Sequence, residues 1–201
     1  MEVRGVPVEL VEEQVEVGAR RLRVVHPRAA DELIDEEAFE REEFLPYWAE
    51  LWPSAVELAR ALAERDLRGL RVVELGCGLA LPSIAAALEG ADALATDWSE
   101  DALRFARANA ERNGAAIETA RVDWRRPDAL LRRAPFDLVL AADVLYERRN
   151  ADLLLPLLPH LADEVLLADP GRPAERAFLD RAAATWRLET SGRVHRLLRL
   201  G

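Results

Sequence analysis

The 201-residue sequence contains no lysine and only one cysteine, Cys77. All 27 basic residues are arginine, and the formal net charge of −10 leaves acids in excess. Arginines cluster locally, at 125–126 and 132–133, but these clusters lie among acids and predict solvated helix ends, so we expect no nucleic-acid partner. A cationic partner suits its charge better. A single cysteine also excludes an intrachain disulfide.

Long uncharged apolar runs are missing as well. No stretch reaches the ~18 apolar residues that a membrane-spanning helix needs, so we expect no membrane association. Residues 1–10 carry Glu2, Arg4 and Glu9, which is not typical of a secretory signal peptide. These features together predict a cytoplasmic protein. The three histidines are far apart and lack the spacing of metal ligands, so no metal site is predicted.

From residue 70 onward, short apolar runs alternate with amphipathic stretches. The predicted strands are 71–75, 93–96, 117–122, 136–142 and 164–168, and the predicted helices are 53–65, 81–88, 99–113, 150–161 and 173–185. This alternation predicts an α/β fold with a Rossmann-like, mostly parallel sheet and helices on both faces. Residues 186–189 and 193–200 predict a closing hairpin, joined by a turn at 190–192, in which one strand runs antiparallel.

The first fifty residues have a different pattern. We predict that residues 1–50 form an N-terminal extension packed on the main domain, residues 51–201. Alternating apolar residues within 6–25 predict a small β-hairpin that turns at Gly18 and Ala19. The acid-rich segment 31–43 predicts a solvated helix or loop.

Polar or small residues follow each predicted strand, where open α/β sheets bind their ligands. Gly76 and Gly78 allow a tight turn that a ligand can approach closely, although a plain strand-to-helix turn is the alternative. Leu81 stands where a dinucleotide-binding fingerprint requires Gly or Ala, which argues against that class of ligand. Asp97 follows the second strand, where an acid can accept hydrogen bonds from both hydroxyls of a ribose.

The later strands end in further acids. Asp123 and Trp124 suit an adenine, whose amine can donate to the carboxylate while its ring stacks on the indole. The alternative places Trp124 in the core. Asp143 follows a nearly all-apolar strand, where burying an acid is costly, and so it is expected to face a substrate. The fifth strand ends in Asp169-Pro-Gly-Arg172, a rigid polar turn.

Taken together, these residues resemble the class I S-adenosylmethionine-dependent methyltransferases. The segment Asp143-Val-Leu-Tyr146 matches the D-x-x-Y motif of the methyltransferase family 16 group. Two further motifs are similar to those of the electron-transfer flavoprotein β-subunit lysine methyltransferases and their bacterial relatives: Pro46-Tyr-Trp48-Ala-Glu-Leu-Trp52-Pro53 and Asp169-Pro-Gly-Arg172. The resemblance extends over roughly residues 20–200.

This resemblance implies S-adenosylmethionine as the cofactor and a protein lysine as the acceptor, with the electron-transfer flavoprotein β subunit as one candidate partner. A small-molecule N-methyltransferase on the same scaffold is the alternative. The implied cofactor-binding residues are Trp52, Glu74, Gly76, Cys77, Gly78, Asp97, Trp98, Asp123, Trp124 and Ala142. The implied catalytic residues are Asp143 and Tyr146, which would hold the amine, and the candidate substrate-binding residues are Trp48, Asp169 and Arg172. Ala80 departs from the pattern, because many class I enzymes have a third glycine there.

The absence of lysine has two interpretations. Codon usage in a GC-rich genome favours arginine, alanine and leucine, and the sequence is rich in all three. Alternatively, a lysine-modifying enzyme without lysine avoids modifying itself. Composition is consistent with both.

Overall fold

The computed structural model describes residues 1–3, 6–28 and 46–201 of the chain. Its strands are β1 (Glu2–Val3), β2 (Val6–Pro7), β3 (Leu10–Val17), β4 (Arg20–Pro27), β5 (Arg71–Leu75), β6 (Asp92–Asp97), β7 (Ile117–Arg121), β8 (Leu138–Ala142), β9 (Glu164–Ala168), β10 (Trp186–Ser191) and β11 (Val194–Arg199). Its helices are α1 (Pro53–Leu62), α2 (Leu81–Leu88), α3 (Glu100–Arg112), α4 (Asp128–Leu131), α5 (Arg148–Leu161) and α6 (Pro173–Ala182), with a short 3-10 helix at Tyr47–Ala49. No helix in these ranges is long and apolar enough to cross a membrane.

A seven-stranded sheet in the order β10-β11-β9-β8-β5-β6-β7 forms the centre of the described structure. Strands β5 to β9 are parallel, as predicted. The closing hairpin is also confirmed, but its turn is at Gly192 and Arg193, because Ser191 already pairs with Val194. The antiparallel strand β11 lies between β9 and the edge strand β10, rather than at the edge.

Helices cover both faces of this sheet, and the strand sequences show why. Successive residues of a strand point to opposite faces. Val72 contributes to one buried cluster, with α1 and α2, whereas Val73 contributes to the other, with α5 and α6. Strands that are apolar at every position therefore supply two cores at once, which is the arrangement of a doubly covered parallel sheet.

Element bounds differ from the predictions mainly at helix ends. Helices α1 and α6 each end three residues earlier than predicted, and α5 begins two residues earlier and continues through Pro156 and Pro159. The short helix α4 and the two-residue strands β1 and β2 were not predicted. The predicted helix or loop at 31–43 lies outside the described residues.

The N-terminal hairpin formed by β3 and β4 is confirmed, with its turn at Gly18 and Ala19. It packs against α3, where Asn109 fixes it to the main domain. The Asn109 side chain accepts a hydrogen bond from the Val25 N–H at 2.8 Å and donates to the Val25 carbonyl at 3.1 Å. It also donates to the Leu79 carbonyl at 3.3 Å, so one buried amide joins the hairpin, α3 and the loop after β5.

Candidate active site

A cavity of about 330 Å³ opens at the carboxyl ends of the parallel strands. Its walls include all the site residues predicted from the sequence except Asp169. The walls also include residues that were not predicted, notably Tyr47, Glu50, Leu51, Val122, Arg125, Arg149, Asn150 and Leu153. The predicted domain boundary at residue 50 falls within a continuous stretch of this lining, residues 50–52.

The turn after β5 requires glycine at two positions. Gly76 has φ +68°, and a Cβ added there would lie 3.1 Å from Val144 Cγ1 and 3.3 Å from Trp124 Cζ2. Gly78 has φ +49°, and a Cβ there would lie 3.3 Å from the Trp48 carbonyl oxygen. Ala80, the position that departs from the family pattern, is also left-handed, with φ 61°. A backbone held in this rare conformation brings the N-terminus of α2 toward the cavity.

Asp97 binds the glycine turn through backbone groups. One carboxylate oxygen accepts the Gly78 N–H at 3.0 Å, and the other accepts the Ser99 N–H at 2.9 Å. Burial raises the pKa of Asp97, and these N–H bonds oppose that rise. An ionised carboxylate offers about four acceptor positions. Asp97 can therefore accept ribose hydroxyls while it keeps both backbone bonds.

Glu74 lines the cavity, but its carboxyl group also has a structural partner. One oxygen accepts the Ser83 N–H at 2.9 Å and the Ser83 hydroxyl at 2.5 Å. Burial raises the pKa of Glu74 to about 8. The carboxyl group thus joins β5 to the first turn of α2, and contact between Glu74 and a cofactor stays a prediction.

Cys77 and Trp98 lie where the sequence predicted them, on the cavity wall. The thiol of Cys77 is buried, and burial together with Asp97 and Glu74 raises its pKa well above the usual value. A protonated, buried thiol is a poor nucleophile, so Cys77 acts as a small apolar wall residue. The half-buried Trp98 accepts a hydrogen bond at its backbone carbonyl from Arg121 at 2.9 Å.

Asp123 and Trp124 form the wall beyond β7. The hydrogen bonds from the Arg125 guanidinium reach both Asp123 oxygens, at 2.9 and 3.1 Å, and lower the pKa of that carboxyl. An adenine amine would share Asp123 with Arg125, which the sequence reasoning did not identify. Trp124 is half-buried against the cluster beneath α5 and still presents a surface to the cavity.

An aromatic group borders the opposite side of the cavity. The ring centroids of Tyr47 and Tyr146 are 4.9 Å apart, and those of Tyr47 and Trp52 are 6.2 Å apart. Trp52 also donates its indole N–H to the Tyr47 carbonyl at 2.7 Å. Both tyrosines are 37% exposed. Trp48 lies deeper and packs on Phe105, with ring centroids 5.3 Å apart. Tyr47 was missed, although it stands inside the quoted Pro46-Tyr-Trp48 motif.

Asp143 has the most unusual environment in the cavity. Its backbone is left-handed, with φ 56°, and the residue is 7% exposed. Oδ1 accepts a hydrogen bond from Arg172 Nη1 at 2.6 Å. Oδ2 is buried and has no hydrogen-bond partner among the described residues. Both the strained backbone and the unpartnered oxygen are costly to the fold, which is typical of a residue held in place for a ligand.

Arg172 owes its position to Asp169. Asp169 Oδ1 accepts the N–H groups of Gly171 and Arg172, at 3.2 and 3.0 Å, and Oδ2 accepts Arg172 Nη1 at 3.0 Å. Asp169 is 1% exposed and does not line the cavity. The structure therefore places Asp169 behind Arg172, where it orients the guanidinium, and does not place it against a substrate as predicted.

The loop from Asp143 to Tyr146 is fixed at its far end by Asn150. The Asn150 side chain donates to the Val144 carbonyl at 2.9 Å. Among the described residues, no group of three or more His, Cys, Asp or Glu side chains could hold a metal ion. The cavity thus presents one strained acid, a guanidinium and aromatic walls.

Comparison with known proteins places the chain in a family. Residues 45–181 match the profile of the lysine methyltransferase family. Protein N-lysine methyltransferase METTL21A from Danio rerio is 38% identical over 128 residues, which cover 59% of this chain and 58% of that protein. The electron transfer flavoprotein beta subunit lysine methyltransferase of Xenopus laevis is 35% identical over 135 residues, covering 63% of this chain and 53% of that protein. The chain thus spans little more than half the length of these relatives.

Solved structures confirm the fold. The 16S rRNA N2 G1207 methyltransferase (RsmC) from T. thermophilus, in complex with AdoMet and guanosine, matches with a TM-score of 0.69. The match covers 96% of this chain and 51% of that one at 16% sequence identity, so it bears on the fold alone. The family profile, in contrast, spans more than half of the chain, including the whole stretch from Tyr47 to Arg172 that lines the cavity. The chain therefore belongs to the lysine methyltransferase family.

Proposed function

We propose that this protein is an S-adenosylmethionine-dependent methyltransferase that acts on a lysine side chain of a protein substrate. The observation that carries the proposal is that Asp143, a residue lining the cavity, has a buried Oδ2 without a hydrogen-bond partner among the described residues. An amine N–H is the donor that it would accept. Family membership and relatives whose names specify protein substrates support the same acceptor class over a small molecule.

The residues present fit the cofactor. A cavity of this volume suits a ligand of nucleoside size. Gly76 and Gly78 line the cavity and carry no side chain, so a ligand can approach the backbone of this turn. Asp97 has acceptor positions for ribose hydroxyls, and Trp124 presents an apolar surface to a base. When S-adenosylmethionine is bound, its sulfonium supplies an already activated methyl group.

The protein must then align the acceptor and keep water out. A lysine amine attacks only when neutral, and its ordinary pKa is about 10.4. Desolvation lowers that pKa, whereas an isolated carboxylate nearby raises it. Arg172 compensates the charge of Asp143 through Oδ1, so Oδ2 can accept an amine N–H with less of this unfavourable effect. Asp143 is thereby an orienting acceptor, and the amine proton leaves to water.

The tyrosine pair provides the remaining contacts of the acceptor. Tyr47 and Tyr146 lie next to each other at the cavity and are both partly exposed. Aromatic faces pack well on the aliphatic stem of a lysine and attract its ammonium as it enters. The net charge of −10 favours approach of a lysine-bearing surface. Electron-transfer flavoprotein β subunit is the first substrate to test, since a relative is named for it.

The test is methyl transfer from methyl-labelled S-adenosylmethionine into purified electron-transfer flavoprotein β subunit and into a cell lysate. The expected product is methylated lysine, identified in protein digests by mass spectrometry. The enzyme itself contributes no methyl-lysine background, because it contains no lysine. Asp143→Asn serves as the matched inactive control. Label found only in small molecules, or only on histidine or arginine, would contradict the lysine assignment.

A further inference from the structure

We propose that Glu175 and His195 are positioning residues for the active site, which act through Asp169 and Arg172 to hold Asp143. The inference rests on the proposed function, because it concerns the residue that orients the acceptor amine. Neither Glu175 nor His195 lines the cavity. Both are nevertheless buried, at 6% and 8% exposure, directly behind the residues that do.

The fold brings His195 to this place through strand β11. His195 pairs with Leu167, near the carboxyl end of β9, because β11 is antiparallel to β9. Its Nε2 lies 2.5 Å from Glu175 Oε1, and its Nδ1 lies 2.9 Å from the Thr190 hydroxyl on β10. Both ring nitrogens are therefore used, which fixes the orientation of the imidazole.

Glu175 is the link between this histidine and the active site. It stands in the first turn of α6, three residues after Arg172, and its Oε2 faces the turn at Gly171. Burial, together with the nearby Asp169 carboxyl, raises the pKa of Glu175, and His195 opposes that rise. Asp169 in turn binds the same Arg172 Nη1 that binds Asp143. The pair of His195 and Glu175 thus lies next to the turn in which Asp169 and Arg172 hold Asp143.

One proton is required for this arrangement. Two carboxyl groups in contact repel each other unless one of them donates, so a protonated Glu175 donates to Asp169. Its other oxygen remains hydrogen-bonded to His195 Nε2, and the Thr190 hydroxyl remains hydrogen-bonded to Nδ1. The charged or titratable groups that face Glu175 in the described structure are His195, from β11, and Asp169, from the end of β9.

The consequence for Asp143 follows from the shared guanidinium. A hydrogen bond from neutral Glu175 weakens the attraction of Asp169 for Arg172, which leaves Arg172 free to bind Asp143 closely. When Glu175 loses its proton, Asp169 faces a second negative charge and the turn that carries Arg172 is disturbed. Because the pKa of Glu175 is raised, the arrangement is intact at low pH and is lost as pH rises through that pKa.

The decisive variant is Glu175→Gln, since glutamine has the shape of the protonated acid. Its amide can donate to Asp169 and accept from His195 at every pH. We expect its kcat to stay within about twofold of the wild type at low pH. The ratio of wild-type to Glu175→Gln kcat should then fall as pH rises through the raised pKa of Glu175. Taking the ratio removes the ionisation of the lysine acceptor, which both enzymes share.

Variants that truncate these side chains, in contrast to Glu175→Gln, should lose activity even at low pH. Glu175→Ala and His195→Ala each remove a member of the chain of contacts, so kcat should fall about tenfold with cofactor affinity unchanged. His195→Gln, which can still donate to Glu175, should recover most of the loss. Glu164→Gln is the matched control, because Glu164 lies on β9 and binds Arg65 and Arg196 at 2.6 and 2.8 Å, away from the cavity. Glu164→Gln should leave kcat unchanged, and the ratio of wild-type to Glu164→Gln kcat should not vary with pH.

The outcomes separate this inference from the proposed function. If no methyl-lysine is formed, the proposed function fails. If lysine is methylated but Asp143→Asn keeps the wild-type rate, the role of Asp143, and with it this positioning role, fails. If Asp143→Asn loses activity but the ratio for Glu175→Gln does not vary with pH, only the positioning role is overturned. Loss of thermal stability in the Glu175 variants, without any change in kcat or its pH profile, would likewise mean that Glu175 merely stabilises the start of α6.

Discussion

Two buried acids at the carboxyl ends of β6 and β8, Asp97 and Asp143, are held in contrasting ways. Asp97 receives backbone N–H groups on both oxygens, from Gly78 and Ser99. Asp143 receives one side chain, Arg172, on one oxygen, and its other oxygen has no partner in the described chain. Both carboxylate oxygens of Asp97 therefore have hydrogen-bond partners before any ligand binds, whereas Asp143 has a partner on one oxygen only.

The contrast extends to the two halves of the cavity. The half around β5 to β7 takes its shape from turns and strand ends close in sequence, such as Gly76 and Gly78. The half around β8 and β9 depends on side chains brought from distant positions, such as Arg172, which is 29 residues from Asp143. A rigid half suits a cofactor common to many enzymes, and an incompletely satisfied half suits an acceptor that must enter and leave.

The largest effect is expected at Asp143. Asp143→Asn keeps the volume of the side chain but weakens its bond to Arg172 and its capacity to orient an amine. Turnover should fall about a hundredfold or more, since small misplacements of reacting atoms cost that much. Cofactor affinity, measured by calorimetry, should be retained. Tyr146→Phe should cost less, because the ring remains.

Two results would contradict the assignment of Asp143 to the acceptor half of the cavity. Near wild-type turnover by Asp143→Asn on the true acceptor would remove Asp143 from the acceptor half. Loss of cofactor binding in the same variant would place it in the cofactor half.

Asp97 should give the next largest effect, and on binding rather than turnover. Asp97→Ala should weaken S-adenosylmethionine binding by about 2 kcal/mol, the scale of a hydrogen bond to a charged group. Calorimetry on the folded variant measures this directly. Asp97→Asn, which keeps an acceptor oxygen, should lie between wild type and Ala, and unchanged affinity in both would exclude Asp97 from the site.

Tyr47 tests the aromatic side of the acceptor half. Tyr47→Ala removes the ring that stacks on Tyr146, and an aromatic contact contributes about 0.5 to 1.5 kcal/mol. We therefore expect kcat/KM for a protein substrate to fall about threefold to tenfold, mostly through KM. Tyr47→Phe keeps the ring and should retain the wild-type value. Equal losses in the two variants would show that the hydroxyl matters rather than the ring.

The smallest effect on ligand contacts is expected at Glu74, where stability is the informative measurement. Its pKa is raised from 4.5 to about 8 in the folded protein. An acid with a raised pKa contributes stability below its unfolded pKa and loses it as pH rises through the folded one. Relative to Glu74→Gln, the wild type should lose unfolding free energy on the order of a few kcal/mol across that window. Urea denaturation measures the unfolding free energy of both proteins at each pH. A difference between wild type and Glu74→Gln that stays constant with pH would contradict this prediction.

Local patterns predicted the fold well. The bounds of β5, β9 and α2 agree with the sequence analysis, because each is a short apolar run bounded by polar residues or a glycine turn. The missed elements are those with little pattern, such as the four-residue α4. The position of β11 was also missed, because the order of antiparallel strands depends on tertiary packing rather than on periodicity.

The residues of the site likewise divide into those that local sequence patterns predict and those that depend on tertiary packing. Glycines and acids directly after strands were predictable, because the fold class alone assigns those positions to the ligand edge. The bond from Arg172 to Asp143 and the pair formed by Glu175 and His195 were not, since nothing in a single sequence pairs residues so far apart. Asp123 lies at the expected place on the cavity wall, but its hydrogen bond from Arg125 was not predicted.

The insertion of β11 between β9 and β10 sets an order of assembly. Residues 71–124 supply most of the cofactor half, and β5 gains its second neighbour when β8 joins the sheet. The acceptor half must wait, because His195 reaches the end of β9 only when β11 pairs with it. The acceptor half is therefore complete only when the last strand of the chain has joined the sheet.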